Sequence, residues 1–517
     1  MDVVWTRHFP FEVFGAYGYA LCGGDFDGDG FSDLAFSGDS WIDPLQGILQ
    51  CKAYVFFGGP AGMDSIPDAV IVYDTADGGV FSLAAVDVNA DGFSDLIVGK
   101  DGSIRIYLGG NPFDTTCDYR IGGPTPMSEF GHSVASAGDV NGDGWEDLVV
   151  GAYGAILRPG FWPGMVQIFY GGPDFDTFPD VAIWGGHEDW EEAFGCEVRG
   201  GADVNQDGYD DIIVGAWNYR SVGRIYVYYG GNPLDTGAYM TYTSPGGGNQ
   251  ALGRCVDLLR NRSGYGNAIA GSEHYPWRVG TGYLWYGGSP MDSIPDVRIH
   301  GRGGGGYGNA MGYAVARAGD LTGDRDDEFM FSDIDEDSGR GAVYVFKGGT
   351  NSLDTVPIAW IKGMAQRDYI GTRLALIGDA DGDGRNEIAI SSYSWRPRVW
   401  VCRYTGPNSV VEPGTRPSPV ALELNVFPTQ VKDHIRFSYR LSGPSRALLS
   451  LFDLGGRLRG GPFALNGTNG TGEQALDWDL RDQRGRPVHS GVYFAELELS
   501  QEGKAPRRLQ RKFLVVR

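Results

Sequence analysis

This chain of 517 residues is short of several things. No apolar run reaches the length of a membrane-spanning helix, so no membrane span is assigned. Helix-favouring runs of Lys, Glu and Ala are few, while Gly contributes 83 residues and aromatics 13%. Short strands joined by many tight turns suit that balance, and an all-β fold is expected. The six cysteines (Cys22, Cys51, Cys117, Cys196, Cys255 and Cys402) form no CxxC pair, which argues against a zinc ribbon or a thioredoxin-type site. Their spacing assigns no disulfides. The opening "MDVVW" lacks the basic start and apolar stretch of a secretory leader, so a removed leader and none at all both stay open.

Basic charge is scarce too. The formal net charge is −24, yet residues 420–517 hold 15 Lys and Arg against 10 Asp and Glu, so the acid excess lies entirely before them. Such a body suits cations and argues against nucleic acid as a partner. Plain solubility is the alternative, because much of the excess sits in a few aspartate loops. Catalytic signatures are missing as well. There is no HExxH, no GxSxG elbow and no phosphate-cradling loop. "GRGGGGYG" (301–308) lacks the strand and helix of a nucleotide fingerprint, and His132, His187 and His274 stand isolated, which reads as structural. No catalytic residue is assigned, although an acid–base pair assembled from distant repeats would escape this reading.

One aspartate pattern is present in abundance. "DFDGDGFSD" (25–33) returns as "DVNADGFSD" (87–95), "DVNGDGWED" (139–147), "DVNQDGYDD" (203–211) and "DADGDGRNE" (379–387), with a weaker copy "DLTGDRDDE" (320–328). "DLLRNRSGYGN" (257–267) holds the remaining place, and successive starts lie 52 to 64 residues apart. Each copy follows an FG-like pair, as in "FGHSVASAG", and precedes an apolar strand such as "DLVVGA". An aromatic strand ending in diglycine comes next, as in "YVYYGG", and then a fourth strand such as "DVAIWG". Four strands per unit, repeated seven times, predict a seven-bladed β-propeller. The last unit has only three strands, ending in "RVWVCRY" (398–404), so residues 2–5 are expected to supply its outer strand and remove the open edges. An EF-hand is excluded, because strands flank the loop and no Glu stands at its twelfth position.

Calcium takes six to eight oxygen ligands, here side chains at positions one, three, five and nine with a carbonyl at seven. Glycine at position six permits the sharp turn. The expected ligands are Asp25, Asp27, Asp29 and Asp33; Asp87, Asn89, Asp91 and Asp95; Asp139, Asn141, Asp143 and Asp147; Asp203, Asn205, Asp207 and Asp211; and Asp379, Asp381, Asp383 and Glu387. About five calcium sites result. A sixth, at Asp320, Asp324 and Glu328, stays open because Thr322 and Arg325 replace the usual residues. Aligning Asn267 with the ninth position puts Leu259, Asn261 and Ser263 at the first, third and fifth, a set expected to hold no calcium. Metal enclosed by loop oxygens braces its turn and offers substrate no open position.

These residues resemble the FG-GAP repeats of the integrin alpha-chain propeller, over roughly 1–405. The resemblance implies a calcium-bearing seven-bladed propeller of the kind that binds partners or glycans outside the cell. Up-and-down strand order puts the second-to-third and fourth-to-first loops on the face opposite the calcium loops. Those loops are rich in aromatics and arginine, which favour interfaces. Trp41, Trp162, Trp217, Tyr219, Tyr275, Trp277 and Trp395 are the expected ligand contacts, with Tyr153, Tyr393, Arg158, Arg220 and Arg278 among them. Packing between blades is the alternative role for Tyr153 and Trp217.

Residues 406–419, "GPNSVVEPGTRPSP", read as a proline-rich linker, and 420–517 alternate apolar and polar residues as a small β-sandwich. "NVFPTQ", "LFDLGGRL", "WDLRDQRGRPVHSGVYFAEL" and "KFLVVR" resemble the C-terminal sorting domains of type IX secretion substrates, which share an immunoglobulin-like sandwich with flagellar hook-assembly proteins. That resemblance implies a bacterial surface or secreted protein with the secretion machinery as a partner; a plain spacer domain is the alternative. The leading expectation is a non-catalytic calcium-dependent module binding a glycan or protein. A polysaccharide-degrading enzyme is the second, favoured if a carboxylate or histidine cluster faces the central cleft. A structural surface-layer component is the third.

Overall fold

The computed structural model describes residues 1–8, 17–40, 50–64, 66–73, 79–100, 102–125, 127–186, 191–245, 250–261, 264–272, 280–301, 310–349, 356–393, 397–406, 410–411, 422–427, 430–431, 434–441, 446–453, 457–466, 474–482, 484–500 and 507–515. The chain forms two compact units, Met1–Pro413 and Gly414–Arg517, a division that falls within the expected linker. Part of that linker is built into the first unit, since Val410–Val411 pairs in parallel with Trp360–Ile361. Among the described residues no helix is long and apolar enough to cross a membrane.

Strands of the first unit pair in chain order, four at a time. Tyr17–Gly24, Asp33–Ser40, Gln50–Phe56 and Ala69–Tyr73 form one sheet, and Val80–Val86, Asp95–Lys100, Ser103–Tyr107 and Tyr119–Gly122 the next. Phe130–Gly138, Asp147–Ala152, Trp162–Phe169 and Val181–Trp184 follow. They touch the succeeding group (Glu191–Ala202, Asp211–Ala216, Arg224–Tyr228, Met240–Thr243) through a parallel pairing at Trp162 and Gly164. Two more groups run from Cys255–Leu259 to Val297–His300 and from Met311–Gly319 to Ala359–Lys362. The last group joins Ile370–Gly378, Glu387–Ser392 and Arg398–Arg403 to the N-terminal strand Asp2–His8, which pairs Asp2 with Arg403 and His8 with Arg398. Repeated four-stranded antiparallel sheets of this kind fit a propeller.

The core lies between successive sheets. One apolar cluster mixes Val149, Val166 and Ile168 with Val198, Ile212 and Val214, and another mixes Met330 and Val343 with Ile388 and Ile390. Second strands such as Asp147–Ala152 are buried at every residue, which is why they read as unbroken apolar runs.

Two recurring glycines set how closely many of the sheets approach. The glycine of the FG pair lies in the left-handed region at Gly131 (φ +86°) and Gly195 (φ +84°), and there makes a bulge that shifts the register of the inner strand. The glycine in each "VGA" faces the next repeat. A Cβ on Gly151 would stand 2.0 Å from the Gly195 carbonyl oxygen, and one on Gly215 1.8 Å from that of Gly253. Backbone therefore packs on backbone.

The second unit has two sheets. Leu422–Phe427, Ile435–Leu441 and Gln474–Trp478 form one, and Gln430–Val431, Arg507–Val515, Gly491–Ser500, Arg446–Asp453 and Leu458–Asn466 the other. Ile435, Phe437 and Trp478 of the first meet Leu449, Leu451 and Ala495 of the second in one core.

Gly215→Ala should lower stability by about 1–3 kcal/mol or more, because the blocking atom is backbone. Thermal unfolding of the purified chain measures this. An unchanged midpoint would show that the sheets are not packed so closely.

Candidate metal loops and central cavity

Each aspartate loop is a web of backbone amides around carboxylates. In 139–147, Asp139 accepts the amides of Gly142 (2.7 Å), Asp143 (3.0 Å) and Gly144 (2.9 Å). Asn141 Oδ1 accepts the Asp143 amide, and Asn141 Nδ2 donates to Asp143 Oδ2 at 2.8 Å. The ninth residue, Asp147, is fully buried and takes the Val140 amide on one oxygen and the Gly171 amide on the other, each at 2.9 Å. Asp33, Asp95 and Asp211 repeat that bridge between the loop and the diglycine turn.

The loops also hold neighbouring repeats together. The eighth-position amide donates to the first-position carbonyl of the preceding loop: Ser94 to Asp25 (2.8 Å), Asp210 to Asp139 (3.0 Å) and Ser32 to Asp379 (2.9 Å). The second diglycine amide donates to the second-position carbonyl, as Gly110 does to Phe26 and Gly59 to Ala380. Ser32 and Gly59 thus tie the first repeat to the last. Side chains at position eight add to this joint, since Asp210 Oδ2 accepts the Asp139 amide and Ser94 Oγ that of Asp25. Sequence reasoning passed over position eight, although its Ser, Glu or Asp before the ninth carboxylate was visible.

Electrostatically the loops are unfavourable on their own. Carboxyl oxygens of Asp25, Asp27 and Asp29 lie within 4.8 Å of one another, as do those of Asp379, Asp381 and Glu387. Burial pushes Asp33, Asp95, Asp147 and Glu387 up to about 7 and Asp211 up to about 8, against the stabilising backbone amides. Asp27 is also raised, by burial first and then by Asp29 and Asp25. An all-oxygen set of this kind suits a hard divalent cation.

Three loops carry basic groups of their own. Arg403 Nη1 bridges Asp381 (2.8 Å) and Asp383 (2.7 Å). Lys347 Nζ reaches Asp324 at 2.8 Å, and Arg325 occupies the left-handed sixth position at φ +76°. Lys347 was readable as the lysine in "YVFKGG", where other copies end in an aromatic or apolar residue. In the fifth loop the expected alignment is corrected. Asp327 donates its amide to the Arg260 carbonyl, the bond that elsewhere marks position one, so Arg260 rather than Leu259 holds that place. The loop is one residue shorter, and a guanidinium that donates to Gly201 O replaces the first carboxylate.

The inner strands end, away from these loops, at a cavity of about 330 Å³. Every repeat contributes residues from the start of its inner strand, including Tyr19, Phe81, His132, Glu197, Arg254, Tyr313 and Arg373, with Tyr153 and Trp217 from the second-to-third loops. His132 stacks on Phe81 and meets Tyr153 edge-on at 4.8 Å. Its Nδ1 lies 3.2 Å from the Cys196 carbonyl, an acceptor only, so Nδ1 carries the proton. Burial, then Arg373 and Arg254, hold its pKa below the ordinary value and keep the ring neutral. Arg199 pairs with Glu197 at 2.6 Å, and Arg373 lies over the Tyr19 ring at 4.4 Å.

Of the expected ligand contacts, Trp217 is 39% and Trp162 46% exposed, and Tyr393 is exposed. Tyr219 is corrected: its ring is buried, with the Arg224 guanidinium 3.5 Å above it, because the short turn Tyr219–Ser221 folds it inward. Trp41, Tyr275, Trp277 and Trp395 lie outside the described residues, as do Arg278, His187, His274 and 302–308 of the glycine-rich stretch. All six cysteines are free thiols.

Bulged inner strands, aspartate loops and four-stranded sheets together fit a propeller of FG-GAP-like repeats. The FG-GAP repeat family matches residues 130–169 and 198–228. Among similar proteins, integrin alpha-5 of Xenopus laevis is 31% identical over 172 residues, 30% of this chain and 16% of that protein. Integrin alpha pat-2 of Caenorhabditis briggsae is 33% identical over 227 residues (39% and 18%), and integrin alpha-PS2 of Drosophila melanogaster 30% over 230 (40% and 15%). The chain spans under a fifth of the length of these relatives. These likenesses support an integrin-like FG-GAP propeller for the first unit.

Ninth-position carboxyls whose pKa is raised bind more protons folded than unfolded, so the stability they confer is full in acid and lost as pH rises through about 7. In chelator the unfolding midpoint should therefore fall between about pH 5 and pH 8, and millimolar calcium should flatten that slope. A slope identical with and without calcium would count against metal in these loops.

Proposed function

We propose that the chain is a secreted or surface-attached, non-catalytic binding module. Its first unit closes as a seven-bladed propeller with calcium in the loops at 25–33, 87–95, 139–147, 203–211 and 379–387. Its ligand is a glycan or an extracellular protein, engaged on the face opposite those loops. One observation carries this reading: exposed Trp162 and Trp217 and the central cavity share that face, while the loops on the other side are absorbed in holding repeats together. The integrin likeness supports adhesion. The second unit, with its two sheets on one core, serves as a sorting domain recognised by a secretion system.

A second reading, cleavage of a polysaccharide, is favoured by His132 and Glu197 lining the cavity together. One assay separates the two. The full chain, with millimolar calcium or chelator, is tested for retention on immobilised polysaccharides and matrix proteins, and for shortening of the polysaccharides. Calcium-dependent retention without shortening is expected. Trp217→Ala should weaken the retained ligand about tenfold or more, as loss of an aromatic anchor does. Shortening would replace binding with catalysis, and no retention on any surface would overturn the proposal.

A further inference from the structure

The loop at 379–387 combines two features that the other described loops keep apart. The first is a spare oxygen. Asp33, Asp95, Asp147 and Asp211 each spend both carboxyl oxygens on backbone amides, one in the loop and one in the diglycine turn. Strand Arg398–Arg403 leads into "YTGP" instead of a diglycine turn, so Glu387 keeps only the Ala380 amide, on Oε2. Its Oε1 is buried with no hydrogen-bond partner among the described residues, on a residue 1% exposed. Glu387 faces the cluster, with a carboxyl oxygen within 4.8 Å of oxygens of Asp379 and Asp381. The second feature is an internal cation, Arg403 Nη1, between Asp381 and Asp383. Arg385, the other base of this loop, spends Nη1 on the Tyr404 carbonyl (3.4 Å). The loop at 320–328 also has a base, Lys347, but there both Glu328 oxygens are taken, by the Leu321 and Thr322 amides and by Thr322 Oγ1.

We infer that Arg403 and calcium exchange in this loop. The guanidinium holds Asp381 and Asp383 when calcium is scarce and releases them when it is plentiful, and Glu387 Oε1 then serves as a ligand. This rests on the proposed calcium loops and makes one of them an exchange site. One guanidinium nitrogen brings a single positive charge to two aspartates and leaves Glu387 Oε1 unmatched. A calcium ion takes six to eight oxygens and suits all four carboxyls. The Arg403 side chain is 29% exposed, so water screens its ion pairs and they yield to a competitor. Arg403 pairs with Asp2 of the N-terminal strand on one side and with Glu387 on the other. The exchange therefore sits where the N-terminal strand joins the last sheet. An internal cation keeps that seam compensated without calcium.

Removing a competitor tightens calcium at its site by the factor by which it lowers the folding constant of the calcium-free chain. The test is calorimetric titration of the full chain with calcium, joined to thermal unfolding in chelator and in millimolar calcium. Arg403→Gln should tighten one binding step about tenfold and leave the others unchanged. In chelator it should lower the folding constant by a similar factor, whereas in calcium its unfolding midpoint should equal the parent's. Arg403→Lys, which keeps the charge, should stay closer to the parent in both. Glu387→Gln should lose the same single step. An unchanged step in Arg403→Gln, or a midpoint lowered equally with and without calcium, would mean a fixed structural bridge and overturn the exchange. Retention of every step in Glu387→Gln would overturn it too. Failure of the unsubstituted chain to bind any calcium would overturn the proposed metal loops themselves, whereas binding that none of these variants alters overturns the exchange alone.

Discussion

At Ser94, Asp210, Asp327 and Ser32 the eighth-position amide of one loop binds the first-position carbonyl of the loop before it, and much of the first unit depends on that bond. It fixes where one sheet stands relative to the next, and Ser32 donating to Asp379 carries it from the last repeat back to the first. The residues that gather negative charge are thus also the joints. A surface loop could relieve like charges by moving apart. These cannot, because both backbone ends of the cluster are committed to neighbouring repeats. A proton on the ninth carboxyl, a basic side chain such as Arg403, or a bound cation lowers the repulsion without opening the joint.

Local chemistry made the loops legible. Their donors fall within nine residues, so spacing alone gave the sets at Asp25, Asp87, Asp139, Asp203 and Asp379. The strand order and the N-terminal strand were legible for a similar reason, since each repeat carries its own short apolar runs. What failed was register where the copy is damaged. The fifth loop lost a residue, and only the Asp327–Arg260 bond shows which residue took the first place. Tyr219 failed differently. Its position in a loop was read correctly, but the left-handed Arg220 (φ +46°) turns the chain back and puts the ring under Arg224.

The cavity could not be read from sequence at all, because it takes only a residue or a few from each repeat and those repeats start 52 to 64 residues apart. Yet a signal was present. Most inner strands keep a glycine and then vary at once: His132 after Gly131, Arg254 after Gly253, Tyr313 after Gly312. The bulge explains the freedom. It turns the next residues toward the axis, where no neighbouring sheet constrains their size or charge. Positions of close approach stay small, glycine in most repeats and serine at Ser82, Ser332 and Ser391, whereas positions that face an open space differ from repeat to repeat.

The same strand therefore carries both features. Phe130–Gly138 begins beside His132 in the cavity and ends at Asp139, the first carboxylate of its loop. It is buried along most of its length, paired to Asp147–Ala152, and the bulge fixes its register at the cavity end. The loop fixes the other end through Asp147 and the Gly171 amide. A shift that relieved the loop carboxylates would slide the strand and move His132 and Ser133 with it. Close-packed interiors transmit such displacements rather than absorb them. Charge compensation at one face is thereby tied, strand by strand, to the geometry of the arginine-lined space at the other.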